Sequence, residues 1–275
     1  MAHTWETTIL RAGAMRLDGG GMFGVVPRAI WSTLTEPDAD NRIALQTNCV
    51  LLDDGSRRVL IETGCGDKWS DKERGIYALE RRTVLDALRE VEVDPASITD
   101  VVLTHLHFDH AAGLTALDAN GEPASCFPDA RIHVQRREWD DAVANRSVMT
   151  RTYLRSHLDP IVDQLVFASG PTEIMPGVHV EPAPGHTWGH QVVRFDDGDG
   201  PICFAGDVMP TVNHAHPAFS MGYDVEAFTN MESRIRLLDR AVEHGERFIL
   251  DHEPGPALVR PQRDERGRVS LIPVD

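Results

Sequence analysis

The sequence has no run of about 18 apolar residues, the length a membrane span needs, so no membrane partner is expected. Its opening, MAHTWETTIL, lacks a basic stretch followed by a long apolar segment and does not read as a signal peptide. The cytoplasm is therefore the default expectation. Cysteine is scarce: Cys49, Cys65, Cys126 and Cys203 stand far apart and form no CxxC pair. That argues against a disulfide framework or a zinc ribbon and leaves small buried hydrophobes in a reducing compartment. Basic residues are outnumbered, 27 Lys and Arg against 43 Asp and Glu, for a formal charge of −16. A chain so acidic repels polyanions, so nucleic acid is not expected as a partner. The run Gly19-Gly20-Gly21, within Asp18 to Val26, lacks the GxGxxG spacing of a nucleotide loop. No internal repeat and no low-complexity tract is found.

What is present is 275 residues, 41% hydrophobic and 25% charged, enough for a sizeable core in an ordinary globular composition. A single domain over residues 1–275 is expected. Strand-like and helix-like segments alternate. Ala44–Leu52 and Arg58–Ile61 read as strands around the turn Asp53-Asp54-Gly55. Tyr77–Val91 reads as a helix, with Leu79, Val84, Leu85, Leu88 and Val91 near helical spacing. Thr99–Leu103 and Arg131–Val134 are short apolar strands, the second followed by a helix from Gln135. Val178–Glu181, Ile202–Ala205 and Phe248–Leu250 are further strands. Between the last two, the pattern predicts a helix capped by Asp224 and ended by Gly245. Phe228, Met231, Ile235, Leu238 and Ala241 would form its apolar face. The Pro- and Arg-containing tail after Pro254 is expected to run over the surface.

Four of these strands each lead into a residue able to bind metal: Val101–Leu103 into His105, Val178–Glu181 into His186, Ile202–Ala205 into Asp207, and Phe248–Leu250 into His252. Sites in layered α/β proteins gather on loops at one end of the strands. The richest segment is His105-Leu106-His107-Phe108-Asp109-His110, three histidines and an aspartate in six positions. Imidazole nitrogen and carboxylate oxygen are the donors that zinc, iron, cobalt and manganese accept. Two residues apart on an extended segment, His105 and His107 leave on the same side and can reach one ion. Asp109 and His110 follow at a turn, where a short helix starts, and can face a second.

This HxHxDH pattern resembles the signature of the metallo-β-lactamase superfamily. The other parts of that signature follow in order. Pro184-Gly185-His186-Thr187-Trp188-Gly189-His190 is similar to the third-ligand loop, Ala205-Gly206-Asp207 to the loop of the bridging aspartate, and Leu250-Asp251-His252 to the last-histidine loop. The resemblance implies an α/β fold, an αβ/βα four-layer sandwich with two central mixed β-sheets flanked by helices. It implies two divalent metal ions per chain, zinc foremost, with manganese, cobalt or iron also accepted. His105, His107 and His186 would hold the first ion. Asp109, His110 and His252 would hold the second, with Asp207 bridging and a hydroxide between the ions as nucleophile. Asp109 could also pass a proton to the leaving group. His190 is expected to orient the third-ligand loop, and Glu62 stands where the family commonly has aspartate. Relatives are often dimers, so a homodimer is a possible assembly.

Gly21-Met22-Phe23-Gly24-Val25-Val26-Pro27, Asn48 to Leu52, and Asp207-Val208-Met209-Pro210-Thr211 with His214 and Gly222-Tyr223-Asp224 resemble the branch holding quorum-quenching lactonases and methyl parathion hydrolases. That resemblance implies a small-molecule lactone, such as an N-acyl homoserine lactone, or a carboxyl ester as substrate. The alternative is an organophosphate triester or small phosphodiester. Lactonases of this branch place a tyrosine three residues after the bridging aspartate, and here that residue is Pro210. His214 and His216 are candidate replacement donors to the substrate carbonyl. Met22, Phe23, Trp31, Phe108, Trp188, Phe219 and Met221 are candidate pocket walls. A flavin-linked di-iron protein would need a further domain for which no room remains, and a non-catalytic module would have no reason to keep all seven ligand positions.

Overall fold

The computed structural model describes residues 3–274. Fifteen strands, among the described residues, build two large sheets and one small hairpin. The first sheet takes β1 (Glu6–Asp18), β2 (Arg42–Asp53), β3 (Arg58–Ile61) and β4 (Asp100–Val102). The hairpin is β5 (Thr115–Leu117) with β6 (Pro123–Ser125), after which β7 (Arg131–Gln135) and β8 (Leu165–Ala168) complete the first sheet in the order β1-β2-β3-β4-β7-β8. The second sheet comprises β9 (Thr172–Met175), β10 (Val178–Pro182), β11 (Gln191–Asp196), β12 (Pro201–Phe204), β13 (Arg247–Ile249), β14 (Leu258–Arg263) and β15 (Val269–Pro273), which lie side by side in chain order. Both sheets are mixed: β3, β4, β7 and β8 run parallel, as do β12 and β13, and the remaining pairs are antiparallel.

Alternation along the strands explains the layering, since successive side chains leave opposite faces. In β2, Val50 and Leu52 face inward and meet Val180, Val193, Phe195 and Phe204 of the second sheet. Their neighbours Cys49 and Leu51 face outward. There they pack with Val84, Ala87 and Leu88 of a helix, here α4, that covers the first sheet. In the second sheet, Ile202 and Ile249 point inward while Cys203 and Phe248 point out toward Leu237, Leu238 and Ala241 of the long helix α8. The chain is thus the expected αβ/βα sandwich. The helices in chain order are α1 (Gly19–Phe23), α2 (Arg28–Trp31), α3 (Asp71–Tyr77), α4 (Val84–Glu90), α5 (Phe108–Ala111), α6 (Arg136–Val143), α7 (Arg155–Leu158) and α8 (Ala227–His244). None is long and apolar enough to cross a membrane. The four cysteines are free thiols.

Three expectations are corrected. The helix expected over Tyr77–Val91 begins only at Val84: α3 ends at Tyr77, and residues 78–83 are not helical. Ala78 turns left-handed at φ 46° and ends α3, and Glu80 is tied to β1 through its own backbone and side chain on Ala14. Asp86 then starts α4 by accepting from the Thr83 amide at 2.9 Å. The long helix ends at Gly245 as expected, but Asp224 does not cap it. Its buried stripe is Asn230, Ser233, Arg234, Leu237, Leu238 and Ala241, while Phe228 is 69% exposed. The tail does not wander over the surface: β14 and β15 extend the second sheet and bury Val259 and Leu271.

Candidate metal centre

The loops after β4, β10, β12 and β13 converge at one end of the sandwich. Beyond β4 the chain bends at Thr104, and His107 sits at the start of α5 with an extended backbone, φ −64° and ψ 157°. The one turn of α5 carries Asp109 and His110. The third-ligand loop is pressed against α8: Gly185 lies at φ 135°, and a methyl group there would come within 2.1 Å of the Asn230 amide. Glycine alone fits.

All seven expected residues come together. The Asp207 carboxylate is the hub: its Oδ2 lies 3.0 Å from His186 Nε2, 3.6 Å from His110 Nε2 and 3.9 Å from His105 Nε2. Its Oδ1 lies 3.2 Å from His252 Nε2. His107 Nδ1 is 2.9 Å from His186 Nε2. Asp109 brings its oxygens to 3.8 Å from His110 Nε2 and 3.6 Å from His252 Nε2. His105, His107, His186 and Asp207 form one group of mutually close donors, and His110, Asp207, Asp251 and His252 form another, sharing Asp207. All are buried.

The donor set fits a pair of cations. Inward-facing atoms His105 Nε2, His110 Nε2, His252 Nε2 and Asp207 Oδ1 have no hydrogen-bond partner although buried. Buried polar atoms are rarely left so unless something else satisfies them. Four of the outward nitrogens, by contrast, are held, while His107 Nε2 has no partner. His252 Nδ1 donates to the Gln46 carbonyl at 2.9 Å, and His186 Nδ1 to Asp224 Oδ1 at 2.9 Å. His105 Nδ1 meets the Thr104 hydroxyl at 3.0 Å, and His110 Nδ1 faces Glu62 at 3.4 Å and Asp251 at 3.6 Å. Fixing the proton on the outer nitrogen leaves the inner lone pair for a metal.

The electrostatics agree. Burial opposes charge on His186, but the Asp207 and Asp224 carboxylates outweigh it and raise the imidazole to about 10. Burial likewise opposes charge on His252, yet Asp251 and Asp207 lift it to about 9. Asp207 is held well below the usual carboxylate range, burial being overcome by His186, His252 and His110. His105 and His107, by contrast, are held well below the ordinary imidazole value, chiefly by burial.

The site opens into a cavity of about 70 Å³. His107, Asp109, His186, Asp207 and His252 form its floor, while Leu17, Met22, Tyr77, Phe108, Met149, Met221 and Tyr223 line its walls. Of the expected wall residues, Met22, Phe108 and Met221 are there. Phe23 and Trp31 instead stack on each other inside the protein, with centroids 5.6 Å apart. Trp188 points to Glu226 and lies under Arg146. Phe219 packs edge-on to Phe23.

The candidate donor His214 is placed elsewhere. Its ring is fully buried, stacked on Phe23 at 5.3 Å. Nε2 donates to the Met22 carbonyl at 2.8 Å, so Nδ1 accepts from the Thr211 hydroxyl, also at 2.8 Å. Burial holds it down at about 4 and therefore neutral. With both nitrogens engaged it has no proton to offer a substrate. His216 packs on Phe219 at 4.7 Å and accepts from the Ala218 amide at 3.2 Å, and it does not line the cavity. His190 is buried with its ring 5.2 Å from that of His105.

Several neighbours take roles that their place in the sequence does not announce. Asp224, in the position of a helix cap, serves His186 instead. Asp251, beside His252, brings Oδ2 to 3.7 Å from His252 Nε2 and is pushed up to about 7, chiefly by burial. Glu62 has φ 63° and accepts the Thr104 amide at 2.7 Å, bracing the strand that delivers His105. The wall segment Ser147–Thr152 carried no sequence signal at all.

Comparison with known proteins agrees with this geometry. The sequence model of the metallo-beta-lactamase superfamily matches residues 42–252. The chain is 27% identical over 218 residues to an N-acyl homoserine lactonase from a Bacillus species, covering 74% of this chain and 80% of the relative. Among solved structures, a probable metal-dependent hydrolase from Staphylococcus aureus superposes with a TM-score of 0.89 at 25% identity, covering 100% of this chain and 99% of the other. A dizinc quorum-quenching lactonase in complex with a product superposes with a TM-score of 0.79 at 20% identity, over 99% and 98% of the two chains, a likeness of fold.

Proposed function

This chain belongs to the metallo-beta-lactamase superfamily and is a hydrolase, and we propose that it opens a lactone, such as an N-acyl homoserine lactone, or cleaves a carboxyl ester. The observation that carries this reading is an acidic, metal-suited floor under mostly apolar walls. An acyl chain matches such walls, and an ester carbonyl matches the floor. The curated lactonase relative supports the same substrate class.

In this reading His105, His107 and His186 would hold one divalent ion, Asp109, His110 and His252 would hold the other, and Asp207 would serve both. Asp109 is preferred to Asp251 as ligand because it lines the cavity, whereas Asp251 also faces the outer Nδ1 of His110. Zinc is the metal we favour for such donors. Two divalent ions, when bound, polarise a carbonyl and acidify a shared water. The residues do the rest. The outer partners hold a proton on the outer ring nitrogens and aim the inner ones at the ions. Asp109, on the cavity floor, is positioned to carry a proton to the departing alkoxide. Met22, Met221 and Phe108 exclude water from the acyl side. Tyr223 also lines the wall, and burial, reinforced by Asp18, pushes its phenol up to about 12. It stays a neutral hydroxyl donor, the group we favour beside the carbonyl now that His214 is committed elsewhere.

The test is hydrolysis of an acyl homoserine lactone, an aryl ester, a phosphotriester and a phosphodiester by one preparation of measured metal content. Lactone or ester turnover far above the phosphorus substrates, with about two metals per chain, is the expected result. Preference for the phosphotriester or phosphodiester at the same metal content refutes the substrate assignment and leaves the metal centre standing.

A further inference from the structure

One buried acid lies outside every role described so far. Glu138, on α6, is wholly inaccessible to solvent. Its Oε1 accepts the Leu106 amide at 3.0 Å and the Tyr153 hydroxyl at 3.0 Å, and its Oε2 accepts the Thr187 hydroxyl at 2.6 Å. Leu106 lies between His105 and His107, and Thr187 follows His186. Tyr153 packs its ring 5.1 Å from that of His107. One carboxylate therefore grips both segments that carry the first ion's histidines, along with the ring beside one of them. The third-ligand loop also rests directly on the helix that carries Glu138. A methyl group at Gly189 would come within 2.2 Å of the Glu138 amide nitrogen, an approach only glycine allows.

We propose that Glu138 is a positioning residue: it sets the separation of the His105–His107 segment from His186, and so the affinity of the first ion's site, without touching ion or substrate. A metal tolerates deviations of only about 0.2 Å in its ligand distances, and two loops from different sheets need a common anchor to meet that tolerance. The three partners are neutral donors, so the requirement is for acceptor oxygens at fixed places. The proposal rests on the reading of His105, His107 and His186 as ligands of one ion.

Cobalt(II) titration of the metal-free protein, followed by visible absorption and elemental analysis, tests it. His186→Ala and His252→Ala mark the bands of the two sites. In Glu138→Ala the first site weakens about 10–100-fold, the scale of lost outer support, and the second stays within about threefold. Glu138→Gln retains first-site affinity, because its oxygen can still accept from Leu106 and Tyr153 while its amide donates to Thr187. Thr187→Val removes one donor while Leu106 and Tyr153 stay bound to Glu138, and it weakens the first site several-fold, which keeps the test open should the alanine variant not fold. Unchanged affinity at the first site in the folded variants overturns the proposal. So does equal weakening of both sites, or a glutamine variant as weak as alanine. Two ions bound at full affinity by His186→Ala would instead overturn the underlying ligand assignment.

Discussion

Replacing Asp224 by asparagine should disable the first metal site while leaving the fold intact. Asp224 uses one oxygen for His186 Nδ1 at 2.9 Å and the other for the Met221 amide at 2.9 Å and the Asn230 side-chain amide at 3.0 Å. An asparagine in its place has one acceptor and one donor end. Turned with its NH2 toward Met221 and Asn230, it sets a donor against two donors, leaving two buried groups unsatisfied at about 1–3 kcal/mol each. Turned the other way, it keeps both of those bonds and meets a single donor, His186 Nδ1–H. The second arrangement costs less, and it has a chemical consequence. The imidazole relieves the clash by moving its proton to Nε2, the atom that faces Asp207 and the cation site. A protonated Nε2 cannot bind metal. Loss of such an outer partner is worth about 10–100-fold in affinity, or about 1.4–2.8 kcal/mol. Asparagine should therefore harm metal binding at least as much as alanine, although alanine removes more hydrogen bonds, because alanine leaves the tautomer free. Competition titration with a zinc chelator, alongside urea unfolding of the metal-free proteins, separates the two effects. If Asp224→Asn binds zinc within twofold of the wild type, the tautomer argument is wrong. If alanine is the weaker binder of the two, only packing matters at this position.

Three more outcomes follow from other parts of the structure. Asp207→Asn removes the charge that His105, His110, His186 and His252 all face. Metal content should drop below two per chain and turnover by about 100-fold or more, beyond the effect of a supporting residue; a fully metallated, active variant would remove Asp207 from the centre. His214→Ala should lower unfolding stability by about 2–4 kcal/mol, from the cavity and the lost bonds to Met22 and Thr211. Its kcat should stay within about threefold; a selective loss of kcat at unchanged stability would restore a catalytic role. At the far end of the first sheet, buried Asp100 accepts from His133 and Arg131, each at 2.8 Å, and from Thr99 at 2.9 Å. Burial pushes its carboxyl up, but hydrogen bonds from His133 and Thr99 and the Arg131 charge prevail and hold it below its ordinary value. A depressed carboxyl stabilises above its unfolded pKa, near 3.9, and loses that contribution as pH falls through the lower folded value. Asp100→Asn should thus cost about 1.5–3 kcal/mol at pH 7 by urea unfolding, and the gap should narrow only below about pH 4; a gap that closes between pH 5 and 7 would contradict this sign.

The parts of the fold that could be read in advance are those where local pattern and tertiary role coincide. Arg58–Ile61 is a strand in both, because a short apolar run buried on both faces has few alternatives. Where they diverge, local pattern misleads. Leu79 and Val84 sit near helical spacing, but Glu80 is bonded to Ala14 of β1, and those bonds outweigh the continuation of one helix through residues 78–83. The tail after Pro254 carries few apolar residues because β14 and β15 lie at the edge of the second sheet, where one face suffices.

The site shows the same division more sharply. Histidines packed as 105, 107 and 110 announce themselves, since few structural needs concentrate imidazole that way. Asp224 and Glu138 do not. Each lies far along the chain from the histidines it serves, and each sits in a context with an ordinary local explanation: an acid before a helix, an acid inside one. Their roles depend on oxygens meeting donors across loops from different elements, which spacing in one sequence does not encode. The same holds for His214, whose position in the chain invited a catalytic role. Only the Met22 carbonyl, 192 residues away, commits its proton. Inner ligands are chosen by chemistry and can be recognised by residue type, whereas the residues that aim them are chosen by geometry.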